Sequence, residues 1–246
     1  MSSVYSVLKK HATQMHSASN QYSSPNEAVN FDLGCIFIAV PKTGTTSIRS
    51  QVRSRGPYMI DNPHLTISQI QSIFYPYFLK CSLGRNNNFP VSGEVDSDSS
   101  VREKSRELFS KMFKFGSVRN PWARTFSLYR RKEGIQVSSQ ISFSEFVGAI
   151  CCASETCVHP LKTVSQLDWF RDENGMVVMD YIFKLEEIGK ACEEIRELTG
   201  GRVILDNQRR NVNPMKASYK DAYTLKDRKL VEKLFQEEID FFGYIF

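Results

Sequence analysis

The chain has 246 residues, 41% apolar and 24% charged, with a formal net charge of +5 and a pI of about 8.8. That length supports one large domain with a real core, and the composition is that of a soluble globular protein. The mild basic excess suits an anionic small ligand and is too small to argue for nucleic acid, and no apolar run reaches the length of a membrane span.

Residues 1–30 are polar and Ser-rich, without the apolar stretch of a signal peptide, and no Asn-x-Ser/Thr site occurs in the chain. They read as a loose arm on a cytoplasmic protein, with residues 31–246 as a single domain. The first strand is expected at about Cys35 to Val40; its continuous apolar character suits a central parallel strand covered on both faces. A Gly- and Thr-rich turn, Pro41 to Gly44, leads into a helix at about Thr46 to Arg55. Thr66 and Gln69 have capping-box spacing ahead of a helix to about Phe78, with Ile67, Ile70, Phe74 and Phe78 on one face. Residues 84–100 hold Gly84, three consecutive asparagines, Pro90 and several Ser and Asp, and read as a long loop, a lid or an insertion. A charged helix, about Val101 to Met112, precedes a strand ending at Val118. Asn120 and Pro121 then start another helix, since Asn caps and Pro takes the first helical position.

Farther on, Ser142 to Cys151 reads as a helix with Phe143, Phe146, Val147 and Ile150 inward. Val177 to Phe183 reads as a strand, and Glu186 to Leu198 and Leu225 to Glu238 as helices, the last capped by Thr224 with Asp227. Strands alternating with helices predict an α/β three-layer sandwich with a mostly parallel sheet, whose ligands sit beyond the carboxyl ends of the strands. Of six cysteines, Cys35 and Cys192 are expected as buried thiols. Cys151, Cys152 and Cys157 cluster with His159, but their spacing matches no usual zinc site, so a free-thiol loop or a local disulfide is the reading and no metal is expected.

Two segments carry the chemistry. In Pro41-Lys42-Thr43-Gly44-Thr45-Thr46-Ser47, backbone N–H groups and a helix N-terminus can face a phosphate. Lys42 adds a point charge, and Thr45, Thr46 and Ser47 add hydroxyl donors. The lysine of the ATP and GTP loop follows its last glycine. Here Lys42 precedes Gly44, which disfavours a nucleotide kinase. In Val118-Arg119-Asn120-Pro121-Trp122, Arg119 stands at a strand end and Ser127 about two turns into the next helix, so the two can converge on a second anion.

Together these segments resemble the sulfotransferases that use 3′-phosphoadenosine 5′-phosphosulfate (PAPS), most closely their carbohydrate-type branch. PKTGTTS is similar to the family's 5′-phosphosulfate loop, and VRNPWARTFSLYR to its 3′-phosphate motif. Met179 through Ile188, Asn213 through Tyr223, and Asp240 through Phe246 resemble later parts of the same branch. The resemblance implies a P-loop-like sulfotransferase fold, PAPS as donor, 3′-phosphoadenosine 5′-phosphate (PAP) as product, and a saccharide or small-molecule acceptor. It assigns Lys42, Thr43, Gly44, Thr45, Thr46, Ser47, Arg119 and Ser127 to the donor, with Lys42 also catalytic.

A general base is then needed. His64 stands ahead of a capped helix, between the two motifs, where the resemblance places a base. Glu94 and Asp96 in the long loop are the alternatives. His11 and His16 lie in the polar arm and His159 in a loop. Arg209, Arg210, Lys216 and Lys220 flank a segment that closes over the donor in relatives, though they also read as ordinary surface charges. Trp122, Tyr129 and Leu185 fit either an adenine contact or core packing. A non-catalytic nucleotide-binding protein on the same fold is the remaining reading.

Overall fold

The computed structural model describes residues 22–84, 98–130, 141–151, 164–207 and 218–246. Its centre is a four-stranded, mostly parallel sheet. β1 (Val29–Asn30) pairs antiparallel with β2 (Cys35–Ile38). β3 (Phe113–Val118) runs parallel to β2, and β4 (Tyr181–Lys184) parallel to β3. Every residue of β2 is buried, as its unbroken apolar run requires.

Eight α-helices accompany the sheet among the described residues: α1 (Thr45–Val52), α2 (Ile67–Gly84), α3 (Asp98–Lys111), α4 (Pro121–Tyr129), α5 (Phe143–Cys151), α6 (Ile188–Leu198), α7 (Leu225–Leu234) and α8 (Gln236–Phe242). The two-residue period of a strand divides the core. Cys35, Phe37 and Ala39 pack with Ile48 and Val52 of α1 and Ile195 of α6. Ile36, Ile38 and Val40 belong to the larger cluster, with Phe74 of α2, Trp122 of α4 and Phe146 of α5. The chain is thus an α/β protein with apolar clusters on both sides of β2. No described helix is long and apolar enough to cross a membrane.

Three boundaries differ from expectation for identifiable reasons. Residues 24–30, assigned by composition to the loose arm, are packed: Ser24, Asn26 and Val29 are buried, and Glu27 pairs with Arg49 of α1. The polar character there serves hydrogen bonds. Asn26 Nδ2 donates to the carbonyls of Ile60 and Asn62, at 2.7 and 2.9 Å. The expected strand at 177–183 narrows to β4, because Val178 N donates back to Phe170 O and Val177 bridges Arg171. The last helix breaks at Phe235 (φ −112°, ψ 25°), giving α7 and α8. In addition, α2 continues through Pro76 to Gly84.

The expected caps form. Thr66 and Gln69 exchange side chain-to-main chain bonds of 2.9 and 3.2 Å, Thr224 and Asp227 form a full capping box, and Asn120 caps α4.

Candidate functional site

The three parallel strands point the same way, so the segments that follow them gather at one edge of the sheet. β2 leads to the Pro41–Gly44 turn, β3 to Arg119 and β4 to Leu185. This is the carboxyl edge, where open α/β sheets receive ligands.

The turn after β2 is shaped by handedness. Lys42 has φ 71° and Gly44 φ 77°, while Thr43 between them is not in the positive-φ region. Positive φ at Lys42 and Gly44 turns the main chain sharply, as in backbone turns that bind anions. A non-glycine residue in the left-handed region costs about 1–2 kcal/mol. Lys42 is the only such residue among those described, so the strain is local to this loop. Gly44 serves as N-cap of α1 with no side-chain cap bond, and the first turn carries no acidic residue. A Cβ at Gly44 would meet Leu185 Cδ1 at 2.5 Å, so the loop lies close against the end of β4.

The Thr43 side chain turns inward. Its hydroxyl donates to Val40 O at 2.9 Å and lies 2.8 Å from Ser117 Oγ, which itself donates to Thr43 O at 3.0 Å. Thr43 therefore offers a ligand its main chain only. Thr45 is buried, whereas Thr46 is exposed and Ser47 half-buried.

Arg119 is half-buried directly after β3, and its Nη1 lies 3.4 Å from Lys42 O. The structure thus brings the arginine of the second segment onto the loop of the first. Asn120 accepts hydrogen bonds from Trp122 N and Ala123 N, and its own N–H goes to Glu186 Oε1 at 2.9 Å. Ser127 is half-buried on α4, one turn beyond Arg124 on the same helix face.

His64 is half-buried, ahead of α2, and its Nδ1 lies 2.7 Å from Ala39 O at the root of the loop. A carbonyl only accepts, so Nδ1 carries the proton and the neutral ring has its lone pair on Nε2. The ring also meets Trp169 edge to face, with centroids 6.4 Å apart.

With the loop, Arg119 and His64 at one edge, comparison with known proteins is decisive on one point: the model described as "Sulfotransferase family" matches residues 29–245. The chain belongs to the sulfotransferase family. Searches of curated proteins and of solved structures gave no match.

Several side chains that shape the site of this sulfotransferase-family chain escape a reading of motifs. Ser117 ties β3 to the loop. Arg124, fully buried, donates from Nε to Pro41 O at 3.2 Å and from Nη1 to Val164 O at 3.2 Å. Burial pulls its guanidinium below the usual range, opposed by the charge of Glu238. Gln166 contacts the main chain of Arg119. Tyr219 stands near both Arg119 and Glu186; burial, then Glu186, pushes its hydroxyl up, and Arg119 opposes this.

Core packing accounts for two of the three adenine candidates. Trp122 is buried with Nε1 donating to Arg228 O, and Tyr129 packs on Phe143 and Phe146. Leu185 touches the loop instead. Cys35 is buried and Cys192 only half-buried. Glu94, Asp96, Cys152, Cys157, His159, Arg209, Arg210 and Lys216 lie outside the described residues, as do His11 and His16. Among the described residues no group of three or more His, Cys, Asp and Glu side chains gathers as a metal site would.

Proposed function

We propose that this chain transfers a sulfuryl group from PAPS to a hydroxyl or amine of a saccharide or small-molecule acceptor, on the three-layer scaffold typical of its family. The observation that carries the proposal is the 3.4 Å contact of Arg119 with the Lys42 carbonyl. It joins two cationic, anion-facing elements at one sheet edge, as a nucleotide with a 5′-phosphosulfate and a 3′-phosphate requires. The residues fit such a donor. The loop offers main-chain N–H groups of alternating handedness, a lysine, and an open-faced glycine that a Cβ would crowd.

The donor supplies an activated sulfuryl group, whose S–O bond to phosphate breaks as the bond to the acceptor forms. Negative charge then grows on the leaving phosphate oxygen. Lys42, the loop N–H groups and the N-terminus of α1 stabilise that charge, by electrostatics fixed in advance. Arg119 and Ser127 hold the 3′-phosphate. His64, its Nδ1–H anchored on Ala39 O, takes the acceptor proton at Nε2. In-line geometry and positioning do the rest, as in phosphoryl transfer.

Thermal-shift titration with PAP against ATP and magnesium tests the donor class. Stabilisation by PAP and not by ATP is expected; the reverse preference would replace the reading with a kinase-like one. Transfer of labelled sulfate from PAPS across a panel of saccharides and small alcohols then identifies the acceptor, and no transfer to any of them would favour a non-catalytic binder.

A further inference from the structure

Behind Arg119 lies a buried polar assembly. Gln166 and Glu238 are both completely buried. The Gln166 carboxamide pairs with one residue twice: Oε1 accepts from Arg119 N at 2.8 Å, and Nε2 donates to Arg119 O at 2.8 Å. A neighbouring antiparallel strand would pair with that residue in the same reciprocal way. The side chain thus continues the hydrogen bonding of β3 one residue past its end at Val118. Nε2 also donates to Glu238 Oε1 at 2.9 Å, and Gln166 N donates to Glu238 Oε2. Ser165 Oγ adds a bond of 3.0 Å to the same carboxylate oxygen. These partners fix the amide orientation, since a flipped amide would set its NH2 against the Arg119 N–H, donor to donor, and its oxygen against Arg119 O and Glu238 Oε1, acceptor to acceptor.

The assembly reaches the other half of the site as well. Glu238, on α8, also acts on the charge of Arg124, the residue that holds Pro41 O at the root of the loop. Burying an anion, a cation and an amide together is an inefficient way to gain stability, because apolar side chains of similar volume serve at least as well. What such a network supplies is a defined geometry. The geometry it defines is the main chain that carries Arg119.

We propose that Gln166, oriented by Glu238, is a positioning residue for 3′-phosphate recognition. By holding both the N–H and the C=O of Arg119, it sets the guanidinium against the loop, and so governs the preference for a nucleotide with a 3′-phosphate over one without it. This rests on the donor reading above.

The test is calorimetry of the full chain with PAP and with ADP, alongside melting temperature. Wild type is expected to prefer PAP. Gln166→Ala should lose at least about tenfold of that preference, the worth of one charge-assisted hydrogen bond, while ADP affinity changes less. Glu238→Gln should lose part of it. Glu237→Gln, next in sequence but paired at the surface with Arg171, should keep it. A purely structural role would lower the melting temperature and leave the preference intact; that result in Gln166→Ala overturns the proposal. Should Gln166→Ala fail to fold, Glu238→Gln decides, with full preference refuting and reduced preference supporting. Wild-type protein that does not distinguish PAP from ADP would refute the donor reading itself, and this inference with it, before any variant is compared.

Discussion

The site is built from two strand-turn-helix units that treat their helix ends in opposite ways. α1 begins at Gly44 in the left-handed region with no side-chain cap, after a strained lysine. α4 begins at Asn120, whose side chain accepts from Trp122 N and Ala123 N, with Pro121 at the first helical position. One helix start has no side-chain cap; the other is capped by its own Asn120. In the function proposed above, an anion near α4 is held by side chains, Arg119 and Ser127, and not by the helix terminus, whose first N–H groups Asn120 already accepts from. On the same proposal, an anion at α1 is met by main chain and dipole, with Lys42 adding charge. If that proposal holds, the same fold element yields two recognition chemistries, one suited to a charge that changes during reaction and one to a charge that does not.

The largest effect should come from the loop that, in the proposed function, meets the reacting group. Lys42→Ala is expected to lower turnover about a hundred- to a thousand-fold with the fold retained, as loss of one charge-stabilising donor does. Near-normal turnover at saturating donor would break the contrast at its centre. His64→Asn keeps a side-chain N–H for Ala39 O but removes the base, and should lower turnover about a hundredfold. Because protonation at low pH silences a histidine base, the acidic limb of the pH–rate profile should vanish in this variant. An unchanged limb would move the role to another group.

Smaller effects probe the side-chain end. Arg119→Ala should weaken PAP by roughly ten- to a hundredfold and ADP much less, since a charged hydrogen bond to the 3′-phosphate is lost. Equal weakening of both would mean that the arginine reads no 3′-phosphate. Gly44→Ala should cost about 1–2 kcal/mol in stability for its left-handed backbone. Trimming Leu185 to Ala should recover little of this if backbone strain, and not the Leu185 contact, is the cause. Asn120→Ala should cost about 1 kcal/mol as a lost cap while the PAP preference survives, which denaturation and calorimetry would separate.

The parts of this site that are legible in the sequence are those written in local backbone chemistry. Gly44, Pro121 and Asn120 mark turns and caps through their own conformational limits, and β2 declares itself by an apolar run. His64 is legible by its place before a capped helix, but its anchor on Ala39 O, 25 residues away, is not. Gln166 and Glu238 meet across 72 residues, and Gln166 meets Arg119 across 47. A single buried Gln or Glu leaves no periodicity for a sequence reading to detect. Residues 24–30 misled for the opposite reason: their polarity looks like exposure, yet it satisfies carbonyls inside the body. The break at Phe235 is equally silent, since the apolar spacing of α7 continues past it into α8.

Cys35 gives the strand beneath the loop a chemical clock. Burial in β2 pushes its thiol up to about 12, so the reactive thiolate is scarce at ordinary pH and the sulfur is shielded from reagents. Alkylation there can proceed only through moments when the sheet opens. Its rate, followed by mass spectrometry, would therefore count openings of the strand that leads into the Pro41–Gly44 turn. A nucleotide that tightens the loop should slow that count without touching the cysteine.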